Sequence, residues 1–250
     1  MSGHSKWAQI KRQKGVNDAR RGQLFTKLGR EISVAAREGG PDPDGNFRLR
    51  LAIQKARQNN MPMENIERAI KRGAGSGEGS ENWEQVFYEG YGPGGVAILV
   101  QALTDNRNRT TSEVRSIFTR SGGSLGEAGS VAWIFDQRGQ VIIDLANRDP
   151  DETQLEVIDA GAEDVIQEGN ELIVYTQLED LNRVRQELEK SGHTITGAEL
   201  TMLPKTQIEL DEHQAEQVLR LIDRLEELDD VQQVYSNYAI SDELLERMAG

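Results

Sequence analysis

QVIIDLANRDPDETQLEVIDAGAEDVIQEGNELIVYTQLEDLNRVRQELEKSGHTITGAEL, residues 140–200, is the stretch that decides the fold. QVIIDL and ELIVYT are short runs rich in β-branched residues, whereas DETQLEVIDA and LEDLNRVRQELEK place apolar residues at helical spacing. With EDVIQE and TITGAEL included, the order is strand, helix, strand, strand, helix, strand. That is a ferredoxin-like unit.

The flanks have a different pattern. Upstream, WEQVFYEGY (83–91) and VAILVQALT (96–104) border Gly92-Pro93-Gly94-Gly95, which predicts a hairpin. A helix follows over about 109–121, closed by Gly122-Gly123, and SVAWIFD (130–136) has the composition of a further strand. Downstream of Pro204 come a strand TQIEL (206–210), a helix DEHQAEQVLRLIDRLEEL (211–228) and a strand VQQVYSN (231–237). These complete the sheet begun upstream, so the ferredoxin-like unit is an insertion in a split domain.

The N-terminal part is helical. A helix beginning at Asn17 or Asp18 and ending before Gly39-Gly40 carries the stripe Leu24, Leu28, Ile32 and Ala35. Asn46 caps a second helix through Arg57, and Pro62 opens a third that stops before Gly73. GAGSGEGS (73–80) has the composition of a flexible linker. The expected fold class is α+β: an N-terminal three-helix domain, then two α/β domains, one ferredoxin-like and inserted into the other. The expected boundaries are 1–80 for the basic tail, helical domain and linker; 81–137 with 204–240 for the split domain; 138–203 for the insertion; and 241–250 for a C-terminal tail.

Charge divides the chain more sharply than composition does. The net charge is −13 over 250 residues, yet residues 1–72 hold 16 of the 29 basic and only 7 of the 42 acidic residues, a balance of +9. The remainder therefore carries −22. Such asymmetry marks a nucleic-acid- or membrane-facing arm on an acidic body. Lys6, Lys11, Arg12, Lys14, Arg20 and Arg21 form the dense part of that arm, with Lys27 and Arg30 on the first helix and Trp7 as a base-stacking aromatic. The alternative is a solvated basic arm whose tryptophan packs on the helices.

TDNRNRTTSEVRSIFTR (104–120) is the densest polar constellation in the body. Asp105, Asn106, Arg107, Asn108 and Arg109 either present an anion- or partner-binding loop at a helix start, with Asn108 as cap, or form a turn in which Asp and Arg fix each other. SGGSLGEAGS (121–130) can cradle an anion or simply close the helix. GYGPGG lacks the Lys-Ser/Thr of a phosphate-binding loop and lies between strands, so no nucleotide cofactor is expected.

Other chemistries are excluded or unsupported. No cysteine is present, and His4, His193 and His213 are scattered and expected at the surface, so no metal site and no catalytic set is expected. No apolar run reaches membrane-span length, which makes the cytoplasm the expected location.

GHSKW (3–7), FTKLGREI (25–32), AAREGG (35–40), NMP (60–62), IERAIKRG (66–73), YEGYGPGGVA (88–97), LTDNRNRT (103–110) and GGSLGEAGSVAWIF (122–135) together resemble the YebC/PmpR family. The resemblance runs to about Tyr238 and implies a helical N-terminal domain with two α/β domains, one inserted in the other. It also implies a cytoplasmic DNA-binding transcriptional regulator that is not an enzyme. Relatives that include mitochondrial translational activators imply the alternative of a translation factor on ribosomal RNA or the ribosome. An acidic protein-interaction module is the remaining reading. The family's basic positions fall on Lys6, Lys11, Lys14, Arg21, Lys27 and Arg30, and its loop positions on Asp105 to Arg109.

Overall fold

The computed structural model describes residues 18–75, 83–146, 148–241, 243, 244 and 247, with side chains from Arg21 onward. In chain order the elements are α1 (Asp18–Gly39), α2 (Phe47–Gln58), α3 (Met63–Gly73), β1 (Glu84–Tyr91), β2 (Ala97–Thr104), α4 (Arg107–Arg120), β3 (Ser124–Leu125), β4 (Phe135–Asp144), α5 (Pro150–Asp159), β5 (Asp164–Glu168), β6 (Glu171–Thr176), α6 (Leu181–Lys190), β7 (Thr194–Pro204), β8 (Ile208–Glu209), α7 (Glu212–Glu226), β9 (Val231–Ser236) and β10 (Tyr238–Ala239). This is the mixed α+β architecture expected, with helices first and sheets after.

The three helices close on one apolar cluster. Leu28, Ile32, Ala35 and Ala36 of α1 meet Leu49, Ala52, Ile53 and Ala56 of α2 and Ile66 and Ala69 of α3. Asn46 ties two helix ends together. Its side-chain oxygen accepts from the Leu49 amide (3.0 Å), while its Nδ2 donates to the carbonyls of Ala35 (2.7 Å) and Gly40 (2.8 Å). The crossing of α1 and α3 is so close that a Cβ on Gly73 would lie 2.2 Å from the Ser33 carbonyl oxygen. Gly73 is therefore the packed last residue of α3 rather than the first of a linker; residues 76–82 lie outside the described residues.

β1 and β2 form the expected hairpin, Glu84 opposite Thr104 and Tyr91 opposite Ala97, turning through a 3₁₀ segment at Pro93–Gly95. Gly94 and Gly95 there have φ of 69° and 78°, conformations that glycine adopts without strain. The sheet order is β3-β1-β2-β9. Val86, Ile98, Val100 and Val234 pack against Val114 and Phe118 of α4 and Val218, Leu221 and Leu225 of α7.

Two strand expectations fail here. SVAWIFD is not a strand: residues 132–134 form a 3₁₀ turn, and β4 starts only at Phe135 and then runs unbroken to Asp144. The reason lies in Glu89 of β1, whose carboxylate accepts from the amides of Gly129, Val131 and Ala132, each at 2.7 Å. Those amides are thereby removed from any ladder. Burial alone would raise the Glu89 pKa, but the three amide hydrogen bonds outweigh it and hold the carboxyl below its ordinary value. The glycine-rich segment does cradle an anion, and the anion is the protein's own. TQIEL does not join the main sheet either. Asn237 accepts from the Ala97 amide (2.8 Å), the chain leaves the sheet there, and β8 pairs in parallel with β10 as a separate ribbon.

The inserted unit has the sheet order β5-β6-β4-β7, with β4·β6 and β5·β6 antiparallel, the ferredoxin-like arrangement. Val141, Ile143, Leu172 and Val174 of the sheet, Val157 of α5 and Leu181, Val184 and Leu188 of α6 are all buried. Asp149 caps α5 by accepting from the Asp151 and Glu152 amides (3.0 Å each). His193, expected at the surface, is buried between α6 and β7 with Nε2 2.8 Å from Glu156 Oε2. It fails that expectation because the chain after α6 turns inward at His193 toward Glu156 of α5.

The contacts divide the chain into two compact units, 1–135 with 204–250 and 136–203. Residues 136–203, expressed alone, are expected to unfold in one cooperative urea transition. A chain in which a Gly/Ser linker replaces them is expected to keep cooperative unfolding of the remainder. A transition without cooperativity in either would contradict this division.

Candidate functional site

Asp230, the last residue before β9, is 4% exposed and is the most heavily bonded side chain near the helical segment. Its Oδ1 accepts from Arg30 of α1 (2.9 Å). Its Oδ2 accepts from the Arg109 guanidinium (2.7 Å), and the hydroxyls of Thr110 (2.6 Å) and Thr104 (3.2 Å) reach the same atom. Its backbone carbonyl accepts from the Leu103 amide (2.8 Å). Burial alone would raise the Asp230 pKa. Hydrogen bonds from Arg109 and Thr110, together with the charges of Arg109 and Arg30, reverse that and hold it below the usual carboxylate range.

The local sequence places each partner. Thr104 ends β2, and its hydroxyl accepts from the Asn106 amide (2.9 Å). Asn106 then caps α4 by accepting from the Arg109 amide (3.1 Å). The cap is thus Asn106, not Asn108: the turn set by Thr104 brings Asn106 into the extended conformation a cap requires. Arg109 also pairs with Asp105 (2.8 Å). Arg107 and Asn108 are exposed and, among the described residues, their side chains make no hydrogen bond or ion pair.

α1 meets the end of α7 along one row. Gln23 donates to the Glu227 carbonyl and to Asp229 Oδ1 (3.1 Å), Lys27 donates to the Glu226 carbonyl (2.5 Å), and Arg30 donates to the Asp229 carbonyl. These carbonyls lie at a helix C-terminus, where backbone partners run out and cationic donors are favoured. Arg30 also stacks over Trp83, 4.3 Å from the ring centroid, and Trp83 packs with Val34 and Leu103.

The expected basic residues therefore separate. Lys27 and Arg30 are turned onto the body of the protein. Arg21 is exposed over Phe25, 5.5 Å from the centroid. Lys6, Trp7, Lys11, Arg12 and Lys14 lie outside the described residues, as does the side chain of Arg20.

Beside Asp230 opens a cleft of about 800 Å³. One wall is α3, which presents Asn65, Arg68, Ala69 and Arg72; the other carries Asp105, Glu113, Glu227 and Asp229; Phe25 and Gly29 of α1 lie between. Sequence reasoning missed Arg68, Arg72, Glu113 and Glu227. The signal was available for α3, since 65, 68 and 72 fall on one helix face. It was absent for the glutamates, which resemble any solvated acid. Among the described residues no group of His, Asp and Glu is placed to hold a metal ion, and no helix is long and apolar enough to cross a membrane.

Residues 5–76 match the family model for the TACO1/YebC protein N-terminal domain, and residues 83–238 match that for the TACO1/YebC second and third domain. A probable transcriptional regulatory protein of Chloroflexus aggregans is 59% identical over 99% of both chains. One of Dehalococcoides mccartyi is 56% identical over 99% of this chain and 98% of its own. The crystal structure of a conserved hypothetical protein from Aquifex aeolicus superposes with a TM-score of 0.85 at 51% identity, covering 91% of this chain and 94% of the other.

Asp230→Asn keeps the side-chain volume, removes the counter-charge of Arg30, and leaves Arg109 with Asp105 alone. Removing one partner of a buried ion pair costs about 3–5 kcal/mol. With Arg109 43% exposed, water takes over part of its role, so the loss should fall near the low end, about 3 kcal/mol. Because the folded pKa of Asp230 is depressed, its stabilisation is full above the unfolded value of about 3.9, declines as pH falls below that, and is gone only below the lower folded value. Urea unfolding should therefore show a wider gap between parent and variant at pH 7 than near pH 3. An equal gap at both pH values would contradict the assignment.

Proposed function

The chain belongs to the TACO1/YebC family, and on that premise we propose that it is a cytoplasmic DNA-binding transcriptional regulator whose basic N-terminal module meets the phosphate backbone. The observation that carries this reading is the charge segregation: +9 in residues 1–72 against −22 in the rest. Phosphate neutralisation requires charge density more than fixed geometry, and an acidic body confines a polyanion to the one basic face. Arg21, Arg57, Arg68, Lys71 and Arg72 are exposed cations on that module, adding to Lys6, Lys11, Arg12 and Lys14. The relatives' names, probable transcriptional regulatory protein, support the same direction.

A second reading, ribosomal RNA as the partner, is favoured by one feature of α1. Its apolar face packs on α2 and α3, and its Gln23–Lys27–Arg30 row grips α7, so it offers little free surface for a major groove. Backbone neutralisation alone serves either polymer.

Salt dependence tests the contact surface. On duplex DNA, log K falls with log salt by about 0.9 per phosphate neutralised. Replacing Lys6, Lys11, Arg12 and Lys14 by Ala should flatten the slope by about 3–4. An unchanged slope would place the contact elsewhere. Sequence-indifferent, weak DNA binding by the parent, together with co-sedimentation with ribosomes that the variant loses, would replace the transcriptional reading by the translational one.

A further inference from the structure

The cleft beside Asp230 has walls of opposite sign that do not pair. Among the described residues Arg72, Glu113 and Glu227 make no side-chain ion pair, and Arg68 is held only by an exposed contact with Glu64 one turn away. Arg30 and Arg109, which also line the space, are already committed to Asp230. What remains available is a cationic strip on α3 and, opposite it, the carboxylates of Glu113 and Glu227, beside Asp229, whose Oδ1 accepts from Gln23. The volume of about 800 Å³ lies within the range of small-molecule sites and is ample for one nucleotide.

We infer that this cleft receives one unpaired nucleotide of a single strand, with its phosphate at Arg68 and Arg72 and the amino-bearing edge of its base at Glu113 and Glu227. The inference rests on the nucleic-acid reading above and adds the part of the polymer that is read. Guanidinium groups hold phosphate oxygens by charge-assisted hydrogen bonds. A carboxylate has no proton to give at neutral pH, so it recognises a base edge that donates. Cytosine offers its N4 amino group, whereas thymine places the O4 acceptor at the same position. The signs also fix the orientation, because a phosphate is repelled from the glutamate wall. Phe25, half-buried between the walls, supplies an apolar surface for the base.

The test is equilibrium binding of fluorescent oligodeoxycytidine and oligothymidine dodecamers to the full chain across a salt series. The parent should prefer the cytidine strand by about tenfold, within the discrimination one good base-edge contact provides. Glu113→Gln with Glu227→Gln gives amides that both donate and accept, and should bring the two strands within about twofold of each other. Arg68→Ala with Arg72→Ala should weaken both strands and reduce the salt slope by about 0.7, for the one single-strand phosphate that the two arginines hold together. All four side chains are exposed, and superimposable thermal unfolding of parent and variants checks that the fold is kept. Equal binding of the two strands by the parent, or a preference that survives the glutamine pair, would overturn the inference while leaving the tail-dependent contact standing. No binding of either strand by the parent would also overturn the inference, while loss of the duplex binding described above would be needed to overturn the reading it rests on.

Discussion

The carboxylate of Asp230 gathers segments that are far apart in sequence. Through Arg30 it holds α1, through Thr104 the end of β2, and through Thr110 and Arg109 the start of α4, all from the residue that leads into β9. A carboxylate at 4% exposure persists as a charge only where donors replace its water, and here the donors come from α1, the end of β2 and the start of α4. The hydrogen bonds of Gln23 and Lys27 to the last carbonyls of α7 extend the same junction. The helical segment is thereby joined to the sheet by polar contacts, with Trp83, Val34 and Leu103 as its small apolar complement.

That junction determines what the cleft can offer. Arg30 and Arg109 face the space but are neutralised by Asp230, and Asp105 is neutralised by Arg109. The charges left over are those of α3 on one side and of Glu113, Glu227 and Asp229 on the other. The close crossing of α1 and α3 at Ser33 and Gly73 fixes the position of the cationic side. Packing of Val114 and Leu225 in the sheet's core does the same for the acidic side. The basic N-terminal module thus contributes both to the fold, through Lys27 and Arg30, and to the surface, through Arg21, Arg68 and Arg72.

Periodicity made most of the architecture legible. Leu28, Ile32 and Ala35 lie in the helical core as their spacing implies, and Asn46 caps α2. The strand runs QVIIDL and ELIVYT pair in register, Val141 opposite Val174. Apart from the cap at Asn106, which a local turn decides, the failures share one cause, competition from partners distant in sequence. SVAWIFD has strand composition, but Glu89, some forty residues earlier, takes its amides. TQIEL follows the chain that leaves the sheet at Asn237. His193 carries no local sign that Glu156 awaits it. Asp230 itself sits in LEELDDV, which looks like a solvated acidic turn, and only the tertiary fold brings two arginines to it. Local patterns report local structure, and the junction is wholly non-local.

The central claim is that Arg30 and Asp230 join α1 to the sheet as a coupled pair rather than as two independently solvated charges. A double-mutant cycle on the full chain, with Arg30→Met, Asp230→Asn and both together, isolates their mutual term from urea unfolding at neutral pH. The account predicts a coupling free energy of about 2 kcal/mol or more, above the 0–1 kcal/mol typical of surface pairs. Additive losses, with a coupling below about 0.5 kcal/mol, would contradict it.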